Sequence, residues 1–178
     1  MYHIGMKSSA QLIALINETN SLTLTLDDVQ FGAPSVIPVE EQAEMENPAN
    51  TRIQLIAKPN RYPIGEVTVE YDRIDLADFE TLGDPSGIEV DTPLTPAKLM
   101  EAFNKFYGSA LELIDIDTSI VYPEFDDEAV VELKASTTSL AYRGSIELLV
   151  ESTGIDLATA ISNKVLSGLV LKFAAPPA

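Results

Sequence analysis

The chain has 178 residues, 46% of them hydrophobic, and carries 28 acidic against 11 basic side chains for a net charge of −17. That apolar share supports a sizeable core, whereas so acidic a surface repels phosphate backbones and anionic headgroups, so neither nucleic acid nor a membrane is expected as a partner. Cysteine is absent and histidine occurs once, at His3, which excludes disulfides, thiolate zinc sites, Cys-His dyads and Ser-His-Asp triads. Residues 1–7 hold no apolar run, so neither a secretory signal nor a transmembrane helix is expected.

In chain order, the spacing first predicts a helix from Ser8. Ser8 and Gln11 form a capping box, Leu12, Ile13, Leu15 and Ile16 form one stripe, and Asn20 and Ser21 end it. Leu22, Leu24 and Leu26 alternate with threonines and predict a half-buried strand. Ile53, Leu55 and Ala57, then Val67, Val69 and Tyr71, predict a hairpin turning through Asn60, Pro63 and Gly65. Segment 79–94 holds Gly83, Pro85, Gly87 and Pro93 and is expected to be a linker. A second helix opens at Thr95 with Pro96 in its first position, buries Leu99, Met100, Phe103 and Tyr107, and stops at Gly108. Val131, Leu133 and Ala135 are expected to pair with Ile146, Leu148 and Val150. The apolar run 165–173 reads as a closing strand, and 174–178 as a flexible tail.

The halves of this pattern match. At an offset of 87, Leu12, Asn17, Leu24, Leu26 and Asp28 fall on Leu99, Asn104, Leu111, Leu113 and Asp115. Leu55 and Ala57 fall on Leu133 and Ala135 at 78, Gly65 on Gly144 at 79, and Ile-Asp-Leu-Ala at 74–77 recurs at 155–158. The offset changes only in loop-like stretches, as tandem duplication requires. The expected fold is therefore α+β: two copies of a helix followed by an antiparallel meander, at 8–78 and 95–173, packed as one body with a pseudo-two-fold relation.

The stretches 22–34, 50–55, 65–78, 102–108 and 140–146 together resemble a family of virion structural proteins from large tailed phages with contractile tails. The resemblance implies a non-enzymatic particle component on capsid, collar, tail or baseplate. Its partners would be copies of itself and other virion proteins, with assembly in the host cytoplasm and no cofactor.

The remaining candidates are weighed on chemistry. Asp115 and Asp117 share one side of a strand, near Asp126, Asp127 and Glu128, and could gather a calcium ion. No EF-hand spacing supports this, and a solvated acidic edge is the preferred reading, so no metal or cofactor is assigned. A calcium- or glycan-dependent adhesion module remains the alternative function. Glycoside hydrolysis by paired carboxylates is disfavoured, because no tryptophan offers a sugar platform. Asp75 and Asp156 read as residues that tighten strand exits. The expected partner contacts are two apolar loops, one with Val36, Ile37, Val39 and Met45, the other with Ile120, Val121, Tyr122 and Phe125, together with the C-terminal tail; the alternative is that the loops fold back to cover the sheet.

Overall fold

The structure, a computed structural model, describes residues 5–153. It is a mixed α+β fold with several sheets and few helices. Helix α1 (Ser8–Asn20) buries Leu12, Ile13 and Ile16 on one face. Its N-cap is Lys7, with no side-chain capping bond. Ser8 and Gln11, expected as a capping box, send their side chains to Asp115 and Tyr142 instead. A buried carboxylate needs donors more than an exposed helix end does, because water can serve the latter.

The strand expected over 22–26 is not formed. The Asn17 amide donates to the Leu24 carbonyl and accepts from the Leu24 N–H, both at 2.8 Å. The Asp28 carboxylate accepts from the Thr25 N–H at 2.8 Å and from its hydroxyl at 2.7 Å. These bonds consume the backbone groups a ladder would need. Leu22 and Leu26 stay exposed, and Leu24 packs on the core.

Strands β1 (Val29–Phe31) and β2 (Ser35–Val36) both pair antiparallel with one edge of β3 (Thr51–Ala57), with the short helix α2 (Val39–Gln42) following β2. Strand β4 (Glu66–Tyr71) pairs antiparallel with the other edge of β3, as the expected hairpin requires, and the register sets Leu55 opposite Val67 and Ile53 opposite Val69. Ile53, Leu55, Val29 and Tyr71 close on α1 as the first core.

Strand β5 (Ile74–Asp75) and a 3-10 turn (Leu76–Thr81) lead into segment 79–94. That segment is more than a linker. Phe79, Ile88, Val90 and Leu94 are buried in the second core, and β6 (Ile88–Val90) pairs in parallel with β9 (Ser145–Ser152). Its glycines and prolines mark bends, and a bent segment can still bury its apolar side chains.

Helix α2 is followed, after β6, by α3 (Pro96–Tyr107), which begins and ends as predicted. The Thr95 hydroxyl accepts from the Lys98 N–H at 3.3 Å, and Gly108 is left-handed at φ 65°. Beyond a 3-10 turn (Leu113–Asp115), β7 (Glu128–Lys134) pairs antiparallel with β9, with Val131 opposite Leu148 and Leu133 opposite Ile146. The two-residue strand β8 (Tyr142–Arg143) pairs in parallel with β5 and joins the two halves.

The halves repeat several local bonds at the offsets seen in the sequence. The Asn104 amide brackets Leu111 with two bonds of 2.9 Å, as Asn17 brackets Leu24. The Glu112 N–H donates to Asp115 Oδ2 at 2.9 Å, as Thr25 does to Asp28. The Ala57 N–H donates to the Gly65 carbonyl and the Ala135 N–H to the Gly144 carbonyl, each at 2.9 Å. The halves also differ. Two strands flank β3 opposite β4, whereas a single bridge, Ile116 to Ala135, continues the second sheet beside β7. The run 165–173, the second Ile-Asp-Leu-Ala and the tail 174–178 lie outside the described residues.

Asn17→Ala and Asn104→Ala should each lower stability by about 1–3 kcal/mol, because each leaves the backbone N–H and the C=O of one residue, Leu24 or Leu111, without their partner. Urea denaturation of the two variants reads this directly.

Candidate functional site: the seam between the two halves

The buried polar side chains gather where the halves meet. Asp115 is fully buried. Its Oδ1 accepts from the Ser8 hydroxyl at 2.6 Å and the Ser139 hydroxyl at 2.7 Å, while Oδ2 takes the Glu112 N–H. Ser139 Oγ in turn accepts from the Tyr142 N–H at 3.1 Å. Gln11 Nε2 donates to the Tyr142 hydroxyl at 2.8 Å and to the Met6 carbonyl at 2.7 Å. Helix α1 is thereby tied to residues of the second half through two buried side chains of its own first turn.

A second set of bonds runs through Arg73, which is only 5% exposed. Its Nε donates to Thr51 Oγ1 at 2.9 Å and its Nη1 to the Ser139 carbonyl at 3.2 Å. Burial pulls its pKa below the ordinary arginine value. The Tyr71 hydroxyl donates to the Leu140 carbonyl at 2.8 Å. At the rim, Asp75 pairs with Arg143 at 3.2 Å, and its Oδ1 accepts from the Ala77 N–H at 3.2 Å. Asp75 thus tightens a strand exit, as its position suggested; Asp156 lies outside the described residues.

Among the described residues, every buried side-chain nitrogen and oxygen has a partner. The seam is a satisfied polar lock, and a network of this kind fixes how the halves meet more than it adds net stability. Asp115, expected on a solvated acidic edge with Asp117, is in the interior instead, because its 3-10 turn carries it inward. Asp117 remains partly exposed, with its pKa lowered by hydrogen bonds from the Ser119 hydroxyl and N–H. No three His, Cys, Asp or Glu side chains converge on a metal-sized site among the described residues. Asp115 is turned inward onto Ser8 and Ser139 and does not join Asp117 at the surface, so millimolar calcium should leave the melting temperature unchanged; a rise on calcium addition, read by calorimetry, would show a site.

Burial raises Tyr71, Tyr122 and Tyr142 each to about 12. Arg73 partly offsets this at Tyr71, Glu132 and Asp117 add to it at Tyr122, and the Gln11 bond partly offsets it at Tyr142. In the unfolded chain these phenols ionise near the ordinary value of about 10. Their contribution is thus fully present below about pH 10 and is lost as pH rises toward about 12. The part of the tyrosinate absorbance that comes from these three phenols, read as the loss of signal in their Tyr→Phe variants, is expected to rise together with the loss of ellipticity in that window.

Beside the lock is an open groove of about 760 Å³, floored by Leu12, Leu15 and Ile16 of α1, Val69 and Tyr71 of β4, and Leu140. A shallower hollow of about 690 Å³ opens near Met100, Leu111 and Ile114. The loop residues singled out from sequence scatter. Val36, Val39 and Val121 are 68%, 74% and 90% exposed. Ile37 is buried and closed to any partner, because its N–H is drawn to the Asn50 carbonyl at 3.0 Å beside β3. Met45 and Ile120 are half-buried, and Tyr122 and Phe125 pack against the second core. The lock and the groove carried no sequence signal, since Ser8, Arg73 and Ser139 meet only in space.

No described helix is long and apolar enough to cross a membrane. No curated protein matches the chain, and no solved structure does. The model of one family matches residues 1–174, nearly the whole chain, and is described as a family of unknown function. This protein belongs to that family, DUF7941.

Proposed function

We propose that this protein is a non-enzymatic structural component of a phage virion, acting through repeated contacts with copies of itself and with other virion proteins. The observation that carries the reading is how its side chains are spent. The buried polar groups hold the two halves to each other, while apolar side chains are left at the surface in the groove and at Val36, Val39 and Val121. A rigid body with unspent apolar surface suits assembly. The sequence resemblance to virion proteins supplies the setting; capsid decoration, collar, tail and baseplate all remain open to it. Neither nucleic acid nor a membrane has a part, given the net charge of −17.

The same proposal includes tandem duplication, with the halves at 8–78 and 95–173 as copies related by a pseudo-two-fold axis. The paired Asn17 and Asn104 brackets, the Thr25–Asp28 and Glu112–Asp115 turns and the equivalent hairpin registers support it. Duplication suits a protein that offers related surfaces twice.

Mass spectrometry of purified particles of the encoding phage tests the virion reading. The protein should be present at a fixed ratio to the other structural proteins, and its absence from intact particles would refute the proposal.

A further inference from the structure

The two halves fill the space between helix and sheet differently. In the second half, Phe79 sits 5.0 Å from the Phe103 ring and 5.2 Å from that of Tyr107, and β6 lies along both α3 and β9. Apolar chain therefore covers the helix and the strand edge together. In the first half, the corresponding space between α1 and β4 is the groove, whose lining includes Leu140 and Ala141 of the second half. Among the described strands, β4 pairs with β3 alone. Among the described residues its other edge is thus unpaired and lies beside an apolar floor, the combination that accepts an added strand.

The sequence holds a segment with the matching chemistry. In 169–173, Leu169, Leu171 and Phe173 alternate with Val170 and Lys172, which places an apolar row on one side of an extended chain. Charge points the same way. Residues 154–178 hold two lysines and one aspartate, while 1–153 hold nine basic and 27 acidic residues, so the segment is net basic and the body strongly acidic. Glu70 and Asp72 line the groove.

We propose that the groove between α1 and β4 takes residues 169–173 of a second copy of the chain as an added strand. The contact is head-to-tail, so repetition builds a ring or a filament. This deepens the assembly reading by naming one self-contact, and rests on the part of it that has copies of the chain binding each other.

The absence of native cysteine makes the test direct. Thr19, at the exposed rim of the groove, is replaced in one preparation (Thr19→Cys). Leu169→Cys, Leu171→Cys and Lys172→Cys are made separately in others. Thr19→Cys chains are mixed with each of these under mild oxidation. A disulfide-linked heterodimer in at least one mixture, well above what either variant forms alone, supports the proposal. Heterodimer in none of the mixtures overturns it. So does a monomer with an intrachain disulfide when both cysteines are placed in one chain at high dilution, since the chain then fills its own groove. Leu15→Glu, at a 41% exposed position, should abolish the cross-link with circular dichroism unchanged; persistence of the cross-link in that folded variant also overturns it. Either failure leaves detection in purified particles unaffected, so the two proposals fail separately.

Discussion

Gly144→Ala is expected to cost about 3 kcal/mol or more, while Gly65→Ala costs only about 1–2 kcal/mol. Both glycines have a left-handed backbone, at φ 71° and 92°. An alanine at either pays the same kind of strain. Their surroundings differ. A Cβ on Gly65 meets nothing within 4 Å, whereas one on Gly144 falls 2.2 Å from Asp75 Oδ1 and 2.9 Å from its Cγ. That carboxylate cannot swing away freely, because it caps the Ala77 N–H and pairs with Arg143. Displacing it also disturbs the β5–β8 pairing that joins the halves. Chemical denaturation of both variants separates strain from collision. Adding Asp75→Ala to Gly144→Ala should recover the collision and leave the strain, a non-additivity expected of residues in contact. Equal losses for the two glycine variants would mean that β5 does not approach β8 as described.

Asp115→Ala should be comparably damaging, at about 3 kcal/mol or more, since it leaves several buried donors without an acceptor at about 1–3 kcal/mol each. The hydroxyls of Ser8 and Ser139 and the Glu112 N–H all lose their partner. Asp115→Asn keeps one oxygen for the two hydroxyls but turns an amide N–H toward another N–H, and an intermediate loss is expected. Ser8→Ala removes a donor and leaves no buried group stranded, so about 1 kcal/mol is expected. Hydrogen exchange should show where the damage lies. In Asp115→Ala, protection should fall first around the start of α1 and the 3-10 turn of the second half, while β7–β9 stays protected. Loss centred on β7–β9, with the start of α1 still protected, would indicate that Asp115 supports the second core and not the seam.

The legible parts of this fold are those governed by neighbours in sequence. Thr95, Pro96 and Gly108 delimit α3 because capping geometry is local. The pairings Leu55 with Val67 and Leu133 with Ile146 follow from hairpins whose two-residue alternation and glycine turns set the register. The strand expected at 22–26 failed although its alternation was regular, because two side chains close by, Asn17 and Asp28, bond its backbone first. Segment 79–94 looked like a linker for a related reason. Glycine and proline report where a chain bends, not whether Phe79, Ile88 and Val90 find a core to enter.

From its sequence alone, the chain determined two helices, with the C-terminal end of the first and both ends of the second, the segments that pair in two hairpins, and the exclusion of thiol, zinc and triad chemistry. Each of these depends on residues within a few positions of one another, or on which side chains exist at all. Only the tertiary structure decided that Ser8 and Gln11 would leave their helix cap for Asp115 and Tyr142, that Arg73 would reach Ser139, and that one groove would stay open while its counterpart was filled. Those contacts join residues 66–131 positions apart. They form because a buried polar group must find a partner wherever the packed halves supply one, and no local pattern records which partner that is.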